Sequence, residues 1–216
     1  MDEDIDFFKK KFNVSRETIE KLNKYKSFLL SSNKSLNLIG KTTENQIFTR
    51  HFIDSAQIYD LVEDKSEIID LGSGAGFPGI LLRILMDDKK ITGNITLIDK
   101  SSKKCKFLQD LSDKLSLTLN IVNLKIENYK FYKISTVVSR AFKKTIDTID
   151  ILLKNNDKIR NIILIKGKTY QQELEDAKKK YTFDVEKFRS ITSDESFILK
   201  IRNIKCSTTR SCKCLG

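Results

Sequence analysis

Apolar and polar positions follow two different periods along this chain, and the change between them divides it. Over residues 15–31, Ile19, Leu22, Tyr25 or Lys26, and Leu29 recur near helical spacing, with Ser15 placed to cap, so a helix is expected there. The polar run Ser31-Ser32-Asn33-Lys34-Ser35 predicts a break. A second helix is expected over 44–61, with Ile47, Phe48, Phe52, Ser55 and either Ile58 or Tyr59 on one face. From residue 67 short apolar runs alternate with helical stretches. Strands are expected at 68–71, 95–99, 119–122, 136–139 and 161–165, and helices at 79–86, 102–115, 144–154 and 170–180. Residues 182–188 and 196–203 alternate residue by residue, as an antiparallel hairpin does. Alternating strands and helices predict an α/β fold: a mostly parallel sheet covered on both faces, closed by an antiparallel pair and preceded by a helical cap. The expected division is a helical cap over 1–64, an α/β domain over 65–205 and a basic, Cys-containing tail over 206–216.

The densest chemistry lies where the first strand ends. The apolar run 67–71 carries an acid, Asp70, and then Gly72, Gly74, Gly76 and Gly79 follow within eight residues. Half of the eight glycines and the only proline, Pro78, are here. A strand, a side-chain-free turn and a helix bring backbone N–H groups close to a nucleotide-like ligand. Two ligands compete. Gly74-x-Gly76-x-x-Gly79 has the form of a dinucleotide loop. However, a carboxylate just ahead of the glycines would repel a pyrophosphate, and the loop in register with the strand is Gly72-x-Gly74-x-Gly76. That arrangement resembles the acidic-x-Gly-x-Gly-x-Gly loop of class I S-adenosylmethionine-dependent methyltransferases. Their ligand carries an ammonium and a sulfonium and no phosphate. A turn without a ligand is disfavoured by the backbone entropy that four glycines cost.

In such sheets ligands sit beyond the carboxyl ends of the strands. Asp99 ends the second strand, where a carboxylate suits a ribose diol; the alternative is a cap for the helix at Ser102. Ile126 and Glu127 follow the third, an apolar face beside an acceptor, as an adenine requires; Glu127 reads equally as a surface acid. Arg140 ends the fourth, and an arginine there needs a carboxylate, phosphate or base to meet. Lys166 ends the fifth, as a phosphate contact or a solvated lysine.

Composition narrows the class. Forty Lys and Arg against 29 Asp and Glu leave a formal charge of +11, which suits a polyanionic partner or a lysine-rich solvated surface. After Glu195 no acid follows, while Lys200, Arg202, Lys205, Arg210 and Lys213 do. No apolar run approaches the ~20 residues of a membrane span. The acidic start, Met1-Asp2-Glu3-Asp4, is unlike a secretory or transit peptide, so a cytoplasmic protein is expected. Cys105 falls in a helical pattern as a packing residue. Cys206, Cys212 and Cys214 lack the paired C-x-x-C spacing of zinc sites and are expected in a disordered tail, so no metal is expected.

Together these residues resemble one family, the bacterial small-subunit ribosomal RNA guanine-N7 methyltransferases known as RsmG or GidB. The matching pieces are Asn37-Leu38, Arg50-His51-Phe52-Ile53-Asp54-Ser55, Asp70 through Gly79, Leu97-Ile98-Asp99-Lys100-Ser101, Ser139-Arg140-Ala141 and Lys166-Gly167. They run in order from about residue 20 to 204. The chain departs from the family in its cysteine tail and in lacking the tryptophan that often precedes the Asn-Leu pair, where Ser35-Leu36 stand. The resemblance implies a Rossmann-like class I methyltransferase sheet and a guanosine of 16S ribosomal RNA, free or in the small subunit, as target. It implies that Gly72, Phe77, Ile126, Glu127 and Arg140 contact S-adenosylmethionine or line its pocket, beside the Asp70, Gly74 and Gly76 of the loop, with Asp99 near the ribose. Arg50 and Lys166 are RNA-binding candidates. Arg140, Asp54 and Asn37 are catalytic candidates, the last two only through motif position. His51, the single histidine, is expected to be a structural hydrogen-bonding residue. Guanine N7 has a free lone pair, so no general base is needed, and none is evident. A monomer without membrane attachment is expected. The rival functions are an NAD(P)-dependent oxidoreductase and a non-catalytic RNA-binding module.

Overall fold

The computed structural model describes residues 2–153 and 158–207. Seven strands form one sheet in the order β3-β2-β1-β4-β5-β7-β6. They are β1 (Glu67–Leu71), β2 (Asn94–Asp99), β3 (Asn120–Asn123), β4 (Ser135–Arg140), β5 (Ile159–Lys166), β6 (Tyr181–Arg189) and β7 (Phe197–Cys206). The first five are parallel; β7 pairs antiparallel with β5 and β6. Strand order reverses between β1 and β4, and that switch opens a cleft at their carboxyl ends. The helices are α1 (Asp2–Phe12), α2 (Arg16–Leu36), α3 (Asp54–Ala56), α4 (Gly79–Asp88), α5 (Ser102–Leu115), α6 (Thr145–Leu152) and α7 (Tyr170–Lys178). Expected and observed strands agree within about two residues until β7, which runs on to Cys206.

Successive strand residues face opposite sides, and each side buries its own core. Ile68, Leu97, Val138 and Ile163 pack with Phe8, Leu22, Tyr25, Leu29 and Phe52 of the N-terminal helices. Ile69, Leu71, Val137, Leu164 and Leu199 pack with Ile149, Leu152 and Leu174. The N-terminal helices therefore share one apolar cluster with the sheet. Burying one such side chain stabilises by about 1.5–3 kcal/mol, so this cluster holds the cap in place.

Three local expectations are corrected. The polar run 31–35 does not break α2, because Asn33 turns inward: its Oδ1 accepts from Leu38 N and Ile39 N at 2.6 and 2.9 Å. The helix ends instead at Asn37, in the left-handed conformation at φ 48°. Helix α1 adds to the expected elements: its Ile5, Phe8 and Phe12 recur at helical spacing and pack on the core. The single helix expected over 44–61 is a series of short turns: a 3-10 turn at Lys41–Gln46, a π-turn at Phe48–Ile53, α3, and a 3-10 turn at Tyr59–Leu61. A π-turn adds a residue to the turn and re-aims the side chains that follow. Of the tail, Cys206 lies in β7; residues 208–216 lie outside the described residues.

Candidate functional site

The glycine loop between β1 and α4 spends its backbone donors on the protein itself. Gly72 and Ser73 donate to Ile98 O, and Gly76 and Phe77 to Ser73 O, at 2.7–3.1 Å. Gly74 N donates to Asp99 Oδ2 and Gly79 N to Asp70 Oδ2, each at 3.0 Å. Pro78, the residue before α4, has no N–H. The start of α4 is therefore capped by a protein carboxylate, where a dinucleotide loop would offer an open N-terminus to a pyrophosphate. The glycines follow from the same geometry. Gly72 and Gly76 have φ of 67° and 98°, which L side chains rarely adopt. A Cβ at Gly79 would sit 2.8 Å from Asp70 Oδ2.

Asp70 is fully buried beneath this loop and does not line the cleft. Burial pushes its carboxyl up to about 7, opposed by the Gly79 N–H and the Ser73 hydroxyl and reinforced by Asp99. Its Oδ1 has no hydrogen-bond partner among the described residues. The position expected to face a cationic ligand instead fastens the loop to its helix.

Two chambers open at the switch. The first, about 680 Å³, is lined by Gly72, Ile98, Asp99, Ser101, Leu124, Ile126 and Glu127, with Lys100, Lys104, Lys125 and Lys143 around them. Asp99 accepts from Gly74 N and, at 2.9 Å, from Ser101 N; its two oxygens have further lone pairs for hydroxyls. Ser101, not Asp99, caps α5, accepting from Lys104 N. Glu127 is exposed, with Lys143 Nζ at 3.5 Å. Its own backbone N–H, aided by Lys143 and opposed by burial, lowers its pKa, so it stays ionised. Two carboxylates beside an aliphatic face match a nucleoside: hydroxyls on one side, a base on the other.

The second chamber, about 420 Å³, is lined among others by Arg50, Asp54, Arg140, Phe142, Glu173 and Thr192. Arg140 organises it. Its Nε donates to Asp54 Oδ2 at 2.8 Å, one terminal nitrogen to His51 Nδ1 at 3.0 Å, and the other to Arg50 O at 2.7 Å. The π-turn presents Arg50 O and His51, and the start of α3 presents Asp54, to one guanidinium. Asp54 Oδ1 also accepts from Gln57 Nε2 at 3.0 Å and Thr192 Oγ1 at 2.8 Å, linking the cap to the loop between β6 and β7. His51 is buried and its pKa falls to about 3, through burial first and then the Arg140 and Arg50 charges. Neutral, it accepts from Arg140 at Nδ1, so its Nε2–H donates to Thr43 Oγ1 at 2.9 Å. The histidine expected to be structural is bonded as one.

Of the other expected residues, Phe77 is buried in the cap, stacked 5.2 Å from His51 and 5.5 Å from Tyr25, so its side chain faces away from the first chamber. Gly74 and Gly76 shape the loop from outside the lining, and Tyr25 OH holds Ala75 O at 2.6 Å. Asn37 is exposed at the end of α2 and lines neither chamber. Lys166 lines the second chamber but turns inward: Nζ donates to Glu173 Oε2 at 2.8 Å and to Lys143 O, leaving the side chain 9% exposed. Its ammonium is a strut between β5 and α7, unlike the guanidinium of exposed Arg50. Lys200, counted in the basic C-terminal stretch, is likewise buried and bonded to Glu63. Asn33, Phe142, Glu173 and Thr192 are residues that sequence reasoning missed; only Phe142, two residues after Arg140, had a signal. Among the described residues no group of three or more His, Cys, Asp or Glu is placed to hold a metal ion, and no helix is long and apolar enough to cross a membrane.

Solved structures with a similar fold include a ribosomal protein L11 methylase from Lactobacillus delbrueckii subsp. bulgaricus, with TM-score 0.53, 13% identity, and 69% of this chain and 78% of that one covered. Another is M. capricolum TrmK bound to S-adenosyl-homocysteine, with TM-score 0.50, 17% identity, and 68% and 66% covered. At these identities they show the fold alone, that of the class I methyltransferases. The small subunit methyltransferase G of Pelagibacter ubique (strain HTCC1062) is 37% identical, over 89% of this chain and 92% of its own length. That of Rickettsia akari (strain Hartford) is 36% identical, over 88% and 97%. The family model described as rRNA small subunit methyltransferase G matches residues 18–201. With nearly the whole chain matched, this chain belongs to the rRNA small subunit methyltransferase G (GidB) family.

Proposed function

We propose that this chain transfers a methyl group from S-adenosyl-L-methionine to N7 of a guanosine in 16S ribosomal RNA, free or in the small subunit. The observation that carries the reading beyond family membership is the capped loop. With Gly72, Ser73, Gly74, Gly76, Phe77 and Gly79 all donating within the protein, no phosphate nest remains, which favours a ligand without phosphate over NAD(P). When bound, S-adenosylmethionine supplies a methyl group made electrophilic by its sulfonium. Asp99 would accept from the ribose hydroxyls, Ile126 would cover one face of the adenine, and Glu127 would accept from the nucleoside's rim.

Arg140 acts as a positioning residue in this reading, since three acceptors of the cap already hold its guanidinium. It locks the π-turn against β4 and so shapes the second chamber, the seat for the target base. Holding N7 in line with the methyl group can lower the barrier by ~7–11 kcal/mol, without proton transfer. Exposed Arg50, Lys143 and Lys144 at that chamber would contact RNA phosphates. Residues 1–64 serve as the cap that closes this side of the cleft, 65–205 carry the methyl-donor site, and the protein works as a cytoplasmic monomer.

Calorimetric titration with S-adenosylmethionine and with NAD, followed by transfer of labelled methyl to small subunits lacking this modification, tests the proposal. Binding of the first cofactor alone and one labelled 7-methylguanosine in 16S RNA are expected. Binding of NAD alone, or label on protein alone, would overturn it.

A further inference from the structure

Of the three residues that border both chambers, Ala141, Phe142 and Lys143, only Phe142 is aromatic. It follows β4 through Ala141, whose φ of 51° is rare for a residue with a side chain. That kink lays the Phe142 ring on Gly72, where a Cβ would collide with it. The ring is half-buried, in a cleft otherwise walled mostly by charged and polar groups. On its face sits a cation, Lys143 Nζ, 5.6 Å from the ring centroid.

We infer that Phe142 is the stacking surface for the target purine and the group whose π-face meets the positive charge that methylation places on it. The inference rests on the reaction proposed above. In that reaction the N7 lone pair forms the new N–C bond, and the C–S bond breaks with its electron pair kept by sulfur. The positive charge passes from the sulfonium to the purine, and no proton moves. A base that becomes cationic needs a wall that is not cationic. The second chamber offers Arg50, Arg140, Lys143, Lys144 and Lys166. Its two carboxylates are already engaged, Asp54 by Arg140 and Glu173 by Lys166. The Phe142 ring is the large neutral face at the border, and an aromatic face attracts cations and stacks on purines. Lying against the loop on one side and the base seat on the other, it adjoins both positions of the travelling charge. Lys143, on the ring and 3.5 Å from Glu127, yields its place as the purine enters.

The chain contains no tryptophan, so Phe142→Trp installs a single fluorescent reporter at this position. With S-adenosylhomocysteine present, its emission is expected to be quenched by 7-methylguanosine monophosphate at lower concentration than by guanosine monophosphate. On unmodified small subunits, Phe142→Tyr and Phe142→Trp should keep kcat within about threefold. Phe142→Leu, similar in bulk but not aromatic, should lose about thirtyfold, the worth of a desolvated cation–π contact. Calorimetry should find the affinity of Phe142→Leu for S-adenosylmethionine within about threefold of the natural chain, and its thermal midpoint should match. Full activity in Phe142→Leu, a loss confined to cofactor affinity, or a reporter indifferent to both nucleotides would overturn the assignment. A natural chain that neither binds S-adenosylmethionine nor labels the subunits would sink the reaction itself.

Discussion

Two buried groups beside the glycine loop titrate in opposite directions, and substituting each separately exposes them. His51 has a pKa of about 3 when folded, against 6.5 for a free histidine. As pH falls below 6.5 the unfolded chain takes up a proton that the folded chain refuses, so stability is lost down to the folded value. Between about pH 7.5 and about pH 5 that loss is about 2 kcal/mol. Asp70, at about 7 when folded against 3.8 otherwise, does the reverse. Its folded carboxyl binds a proton in the window between those values while the unfolded one does not. The same acidification therefore adds about 2–3 kcal/mol. The two contributions nearly cancel in the natural chain. In His51→Asn the Asp70 gain stands alone, and in Asp70→Asn the His51 loss stands alone. Urea unfolding at the two pH values should show the first variant gaining stability and the second losing it, about 4–5 kcal/mol apart. Every other titrating group is common to both variants and drops out of that difference. Equal pH responses would show that these groups are not buried as described.

Three further outcomes follow from the same contacts. Gly79→Ala places a methyl group 2.8 Å from Asp70 Oδ2, and urea unfolding should find it destabilised by about 1–3 kcal/mol. Arg140→Lys lacks the three-way fork, leaves Asp54 and His51 underserved, and should cost about 3 kcal/mol; Arg140→Lys in an Asp54→Asn background should cost clearly less than the sum of the two. Arg50→Gln should lower the slope of log binding constant against log salt for RNA by about one, while Lys166→Gln should leave that slope unchanged and lower the thermal midpoint instead. An altered slope with an intact midpoint for Lys166→Gln would refute its description as a strut.

The alternation of apolar runs and helical stretches determined the sheet, because a parallel strand buried on both faces must be apolar and its crossover must bury one stripe. The glycine spacing, Asp70 and the acid at Asp99 located the cleft, since a strand end followed by a side-chain-free turn has few other uses. What the sequence could not determine was which groups those side chains meet. Asp70 looked like a ligand contact and caps Gly79. Lys166 looked like a phosphate contact and holds Glu173. Asn33 sat in an apparent helix break and extends the helix instead. The Arg140 clasp brings together residues 50, 51, 54 and 140, about ninety positions apart, through a π-turn with no local signature. Hydrogen bonding and charge pairing are settled by proximity in three dimensions, whereas periodicity is settled by the chain's own geometry. That difference decided which part of this protein was legible before folding and which was not.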